Sequence, residues 1–117
     1  MKKSWDKAEL LAIEYLKKNE YHLIDTNFKF STFWEIDLIC KKDDLIVFVE
    51  VKYRSNDKFW EGIESIWKTK KLKLLKTIEY FCVKNNIDFE KIRFDVISIT
   101  KEEKSYKLVH YKNQSLN

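Results

Sequence analysis

Apolar and polar positions alternate, bunch and recur along this chain in a way that divides it into seven elements. "SWDKAELLAIEYLKKN", residues 4–19, places Trp5, Ala8, Ala12, Tyr15 and Leu16 at helical spacing. Ser4 can cap its start, and Asp6 suits a first turn, where the helix dipole favours negative charge. "YHLIDTNFKF" is a weaker strand pattern. "FWEIDLIC" alternates, and the "KKDD" after it supplies turn residues. "LIVFVEVKY" is the next strand, so the two predict a hairpin. A polar connection, "RSNDKFWEG", leads to a long helical pattern from Glu64 to Lys84. "KIRFDVISIT" then reads as a strand, and "SYKLVHY" adds another.

The order is α-β-β-β-α-β-β. A helix between the third and fourth strands implies a crossover to a parallel neighbour, whereas the hairpin pairs antiparallel. An α/β domain follows, αβββαβ(β), with a mixed sheet flanked by helices. Residues 1–117 are expected to form one domain, with 112–117, "KNQSLN", as a loose tail.

Composition changes this picture in three places. The chain has no proline and one glycine, Gly62, so tight turns must fall on Asn, Asp, Ser and Lys. Its 23 Lys and Arg against 19 Asp and Glu give +4, a mild bias toward anionic partners. The two cysteines, Cys40 and Cys82, form no metal-ligand spacing and read as reduced core residues of a cytoplasmic protein. The opening stretch carries Asp6, Glu9 and Glu14, and no apolar run is long enough for a secretion signal or a membrane span.

The strand "LIVFVEVKY" poses the chemical question. Ile46, Phe48, Glu50 and Lys52 share one of its faces. Burying an unpaired charge costs several kcal/mol, so something must offset Glu50 and Lys52. In "WEIDLIC", Glu35 and Asp37 lie on one face, with Ile36 and Leu38 on the other. Hairpin parity decides whether the charged faces coincide. A two-residue turn at Lys42-Asp43 sets Asp37 opposite Phe48 and diagonal to Glu50. A four-residue loop gives the same faces, and a three-residue loop separates them. Two carboxylates and a peptide carbonyl make a hard-oxygen site suited to Mg²⁺ or Mn²⁺. Lys52 beside it can orient an attacking water. The rival reading is a structural Glu50–Lys52 ion pair, with Asp37 a polar residue at the sheet rim. Glu9, at the edge of the first helix's apolar stripe, either looks toward the sheet or sits in water at the rim.

The second helix carries Lys68, Lys70, Lys71, Lys73 and Lys76 beside an apolar stripe of Ile63, Ile66, Trp67, Leu74, Ile78 and Phe81. Such a run is either a solvated face or a set of phosphate contacts. Lys70 falls within the stripe, where pattern alone gives it no reason to be.

These motifs, in this order, resemble the YraN-like family of bacterial proteins, which is similar to archaeal Holliday junction resolvases. "AELLAIEYL", "WEIDLI", "FVEVKYR" and "RFDVI" look like its successive motifs, over about residues 5 to 100. "ESIWKTKKLKLL" looks like its basic helix, matching at Lys70 and Lys73. Ala8 and Trp34 stand where the family has glycines. The resemblance implies a restriction-endonuclease-like fold of the PD-(D/E)xK type. It implies Asp37 and Glu50 as metal ligands, Lys52 as the water-orienting base or stabiliser, and Glu9 as an additional acid. Lys70 and Lys73 would bind nucleic acid, DNA by analogy, and a homodimer follows from the same analogy. Arg93 and Asp95 match too, or form an ordinary strand-edge pair. The function this implies is a metal-dependent nuclease for structured or branched DNA. The alternatives are a nucleic-acid-binding module with little or no catalysis, and an interaction protein using Trp34, Phe59 and Trp60.

Overall fold

The structure, a computed structural model, describes residues 6–31, 34–54 and 64–116, with the side chains of 54 and 64–69 not described. Ser4, Trp5, Phe59, Trp60, Ile63 and most of the "RSNDKFWEG" connection lie outside these residues, as do the side chains of Ile66, Trp67 and Lys68.

The elements run α1 (Lys7–Lys18), β1 (His22–Phe30), β2 (Trp34–Lys42), β3 (Leu45–Arg54), α2 (Glu64–Lys84), a 3₁₀ turn (Phe89–Lys91), β4 (Ile92–Lys101) and β5 (Tyr106–Tyr111). The five strands form one sheet in the order β1-β2-β3-β4-β5. β3 and β4 are parallel, joined across α2, and the other neighbours are antiparallel. The expected mixed α/β sheet flanked by helices is the fold observed. Among the described residues, no helix is long and apolar enough to cross a membrane.

Each helix covers one face of the sheet. Ala8, Ala12 and Leu16 of α1 pack on Leu38, Cys40, Val47, Val49, Ile97 and Ile99. The two alanines have side chains small enough for the helix to settle close to the strands. Leu74, Ile78, Phe81 and Cys82 of α2 pack on Ile36, Ile39, Phe48, Phe94 and Val96 on the other face. Both cysteines are free and buried. Burial pushes the Cys40 thiol up to about 12 and the Cys82 thiol up to about 11, so neither is a thiolate at neutral pH.

Asp6 is the α1 cap, its Oδ1 accepting the Glu9 N–H at 2.8 Å, so it stands one step ahead of the first turn in which its charge suggested it. Scarce glycine shows in the turns. Glu20, Asn27, Ser31, Asp43, Asn86 and Asn113 all have φ between 51° and 67°. Asn and Asp tolerate this region better than other side chains. Asn86 closes α2, where Ile87 N–H reaches back to Cys82 O at 2.8 Å. The expected loose tail makes contacts of its own through residue 116. Asn113 N–H donates to Asp95 Oδ1 at 2.9 Å, Gln114 N–H donates to Phe94 O at 2.7 Å, and Leu116 packs under α2.

A candidate acidic site where two strands part

The β2–β3 turn is Asp43-Asp44, with Lys42 paired to Leu45. It lies one residue beyond the turn expected at Lys42-Asp43, yet it has the same even length. The ladder runs to Leu38↔Val49. One step further along the same register Asp37 faces Glu50 directly, not Phe48.

At that step the strands part. Val51 N–H donates to the Asp37 carboxylate, Oδ2, at 2.8 Å, in place of a strand carbonyl. Across the other edge of β2, pairing passes from Thr26↔Leu38 to Phe28↔Ile36, with Asn27 between them at φ 51°. The regular alternation expected for β2 breaks here. Ile36 belongs to the cluster under α2 and Leu38 to the cluster under α1, so the two do not share a face. The left-handed residue opposite and the loss of β3 alongside let β2 rotate by one face.

The parting opens a cleft of ≈ 770 Å³ lined by Lys29, Ser31, Trp34, Glu35, Asp37, Glu50, Val51, Lys52 and Lys73. The carboxyls of Asp37 and Glu50 come close enough within it to interact. Burial, then the hydrogen bond to Glu50 and its negative charge, push the Asp37 carboxyl up to about 9, against the opposing pull of Val51 N–H and Lys52. Only 3% of Glu50 is exposed. Its Oε2 accepts the Trp34 indole N–H at 3.2 Å and lies 3.5 Å from Lys52 Nζ. Asp37 therefore keeps its proton at neutral pH, and Lys29, Lys52 and Lys73 line the cleft around it.

Glu9 is 8% exposed and is not among the lining residues. It reaches them indirectly, because Asn27 Nδ2 donates to Glu9 Oε2 at 3.3 Å and to Glu35 Oε1 at 2.9 Å. Glu35 in turn meets Lys29 Nζ at 3.5 Å. Lys73 lines the cleft, whereas Lys70 places its Nζ 5.2 Å from the centre of the Trp34 ring. That cation–π contact supplies the missing reason for a lysine in the apolar stripe. Trp34 is itself half-buried, with its carbonyl accepting from Thr77 Oγ1 at 3.3 Å.

Sequence pattern passed over Asn27, Thr77 and Lys29. A signal existed for Asn27: in a chain with one glycine, an Asn inside a strand pattern marks a left-handed bend. Nothing in the one-dimensional pattern ties Trp34 to Glu50. Among the described residues, no group of three or more His, Cys, Asp or Glu side chains forms a metal-ligating cluster.

Arg93 and Asp95 lie in an inner strand, not at an edge, on the face away from the acidic pair. Asp95 is fully buried and accepts from Arg93 Nε at 2.9 Å, Arg93 Nη2 at 2.8 Å and Asn113 N–H at 2.9 Å, with His110 Nε2 2.6 Å away. Burial raises its carboxyl, but the bonds from His110, Arg93 and Asn113 outweigh that and hold it below the ordinary value. Arg93 also donates to the Tyr21 hydroxyl at 2.5 Å, and Tyr15 meets His110 Nδ1 at 2.9 Å.

A family model described as "Uncharacterised protein family UPF0102" matches residues 8–99, which span the whole cleft and stop short of β5. A UPF0102 protein of Flavobacterium psychrophilum is 36% identical over 106 residues, covering 91% of this chain and 87% of its own. One of Clostridioides difficile is 39% identical over 103 residues, 88% and 90% of the two chains. One of Legionella pneumophila is 44% identical over 107 residues, 91% and 88%.

Proposed function

Since the chain belongs to the uncharacterised family UPF0102, the YraN-like family its motifs resemble, we propose its function from the cleft. It is a metal-dependent nuclease that hydrolyses phosphodiester bonds in structured or branched DNA, working in the cytoplasm. One observation carries this reading: the Asp37 and Glu50 carboxyls, the second of them buried, come together on the floor of a cleft lined by Lys29, Lys52 and Lys73.

The donor set fits a hard cation. Two carboxyls pressed together repel when both ionise, and a divalent ion in place of the Asp37 proton relieves that. Two protein carboxylates suit Mg²⁺ or Mn²⁺, which keep several waters and take further oxygens from phosphate. Bound between Asp37 and Glu50, the ion would supply an acidified water and neutralise charge on the phosphate. The remaining work falls to side chains. Lys52, 3.5 Å from Glu50 Oε2, holds the carboxylate and stands ready to orient the water. Lys29 and Lys73 attract the phosphate backbone from two sides of the cleft. Glu9 acts at one remove, through Asn27 and Glu35. The preference for branched DNA, and a homodimer to engage it, rest on the resemblance to resolvases.

The test is a cleavage screen over linear, flapped and four-way DNA and RNA with Mn²⁺, beside Asp37→Asn and Glu50→Gln. Cleavage by the wild type, lost in both variants while binding persists, supports the reading. A second reading, a nucleic-acid-binding module without catalysis, draws on one observation. Asp37 is satisfied by Val51, and Glu50 by Trp34 and Lys52, with no cation at all. Salt-sensitive binding with no cleavage of any substrate would favour it.

A further inference from the structure

Trp34 touches the acidic pair through one atom. An indole N–H is a donor only, and here it points at Glu50 Oε2, 3.2 Å away. The ring cannot easily turn aside. Its backbone carbonyl is tied to Thr77, its face lies under Lys70, and it packs against the apolar cluster beneath α2. Lys52 meets the same oxygen at 3.5 Å, too long for a strong directional bond, on a flexible stem that can yield. Glu50 Oε2 is thus committed to the protein, and Oε1 is the oxygen left for an ion.

We propose that Trp34 sets the cation preference of the Asp37–Glu50 pair by making Glu50 a one-oxygen ligand. This rests on the metal reading above. Mg²⁺ and Mn²⁺ accept single carboxylate oxygens in a compact octahedron. Ca²⁺ gathers six to eight oxygens and draws heavily on carboxylates that give both. Fixing Oε2 elsewhere denies Ca²⁺ that mode and leaves the smaller ions unaffected. Trp34 is a specificity residue that acts through Glu50.

The experiment titrates Mg²⁺, Mn²⁺ and Ca²⁺ by calorimetry into the wild type, Trp34→Phe and Lys70→Met. Phe keeps the ring and its packing but removes the N–H. The wild type binds Mn²⁺ more tightly than Ca²⁺. In Trp34→Phe the ratio of the two affinities moves toward Ca²⁺ by about tenfold, the scale of a hydrogen bond to a charged group. Lys70→Met, which keeps the N–H, retains the wild-type ratio. An unchanged ratio in Trp34→Phe, or equal losses for all three ions, overturns the proposal and leaves the metal reading standing. No binding of any ion by the wild type overturns both. A second measurement needs no variant. In ¹⁵N spectra of the wild type, the Trp34 indole N–H stays protected from exchange with Mg²⁺ bound and loses protection with Ca²⁺ bound. Equal protection with both ions overturns the proposal.

Discussion

Asp37 accepts the amide hydrogen of Val51 at 2.8 Å, and this bond holds its carboxyl against Glu50 where the β2–β3 ladder ends. The contact has a measurable cost in the metal-free protein. Burial and Glu50 raise Asp37 from 3.8 to about 9. A raised folded value means stability present below the unfolded value and lost as pH rises through the folded one. Metal-free protein therefore weakens between about pH 4 and pH 9. Asp37→Asn keeps the oxygen for Val51 and offers N–H to Glu50, so it removes this loss. Its Tm should exceed the wild type's by about 4 °C or more at pH 8, with a smaller gain at pH 5. Thermal unfolding in chelator at both pH values checks this, and an equal gain at each would contradict it.

Among the lysines of α2, the two that stood out by motif part company in the structure. Lys73 lines the cleft, while Lys70 is engaged on Trp34 and Lys76 is exposed elsewhere on the helix. On the nucleic-acid reading, Lys73→Ala flattens the slope of log affinity against log salt by about one unit. Lys76→Ala removes the same charge with a smaller change. Binding to one branched and one linear duplex at several salt concentrations makes the comparison. Equal small effects would reduce the helix to diffuse charge.

Asp95 gives the sharpest stability prediction. Asp95→Asn leaves the guanidinium of Arg93 inside the protein without its counter-charge, at a cost of about 3–5 kcal/mol. Adding Arg93→Met should recover part of that loss, because the stranded charge is gone. Urea unfolding of the single and double variants reads both effects. In wild type the folded value lies below the ordinary one, so this carboxylate's contribution is present above it and disappears as pH falls into the acid range.

Glu20 is the left-handed residue with the least reason to be there, at φ 67° just past α1. Glycine has no Cβ to strain in that region. Glu20→Gly should stabilise the fold by about 0.5–1 kcal/mol, net of glycine's greater freedom when unfolded. A fall in the urea midpoint would contradict this.

Periodicity made the elements legible, because each is amphipathic in its own period. α2 runs from Glu64 to Lys84, where the pattern put it. The acidic pair was legible to the level of parity, since an even turn is all that two carboxylates need to meet. Register was not, because KKDD offers several two-residue turns of similar chemistry and only Asp43 takes the left-handed φ. The rotation of β2 at Asp37 was hidden because it depends on Asn27, ten residues away in the chain. Trp34 stood out only as a departure from the family's glycine, and its N–H counts only once Glu50 is beside it. The tail looked polar and loose because its bonds use backbone N–H groups, which composition does not report.

Tyr15, His110, Asp95, Arg93 and Tyr21 tie α1, β5, β4 and the approach to β1 into one polar chain. The α2 face is held mainly by apolar contact. The two layers should therefore differ as cooperative units. Amides of α1, β4 and β5 should exchange with solvent only on global unfolding, and those of α2 through smaller openings. Lys73 rides on α2, the faster of the two, while Asp37 and Glu50 sit on β2 and β3 between the layers. On the nucleic-acid reading, the α2 wall of the cleft is therefore the one expected to yield to a bulky ligand, while the strands that form its acidic floor keep their shape.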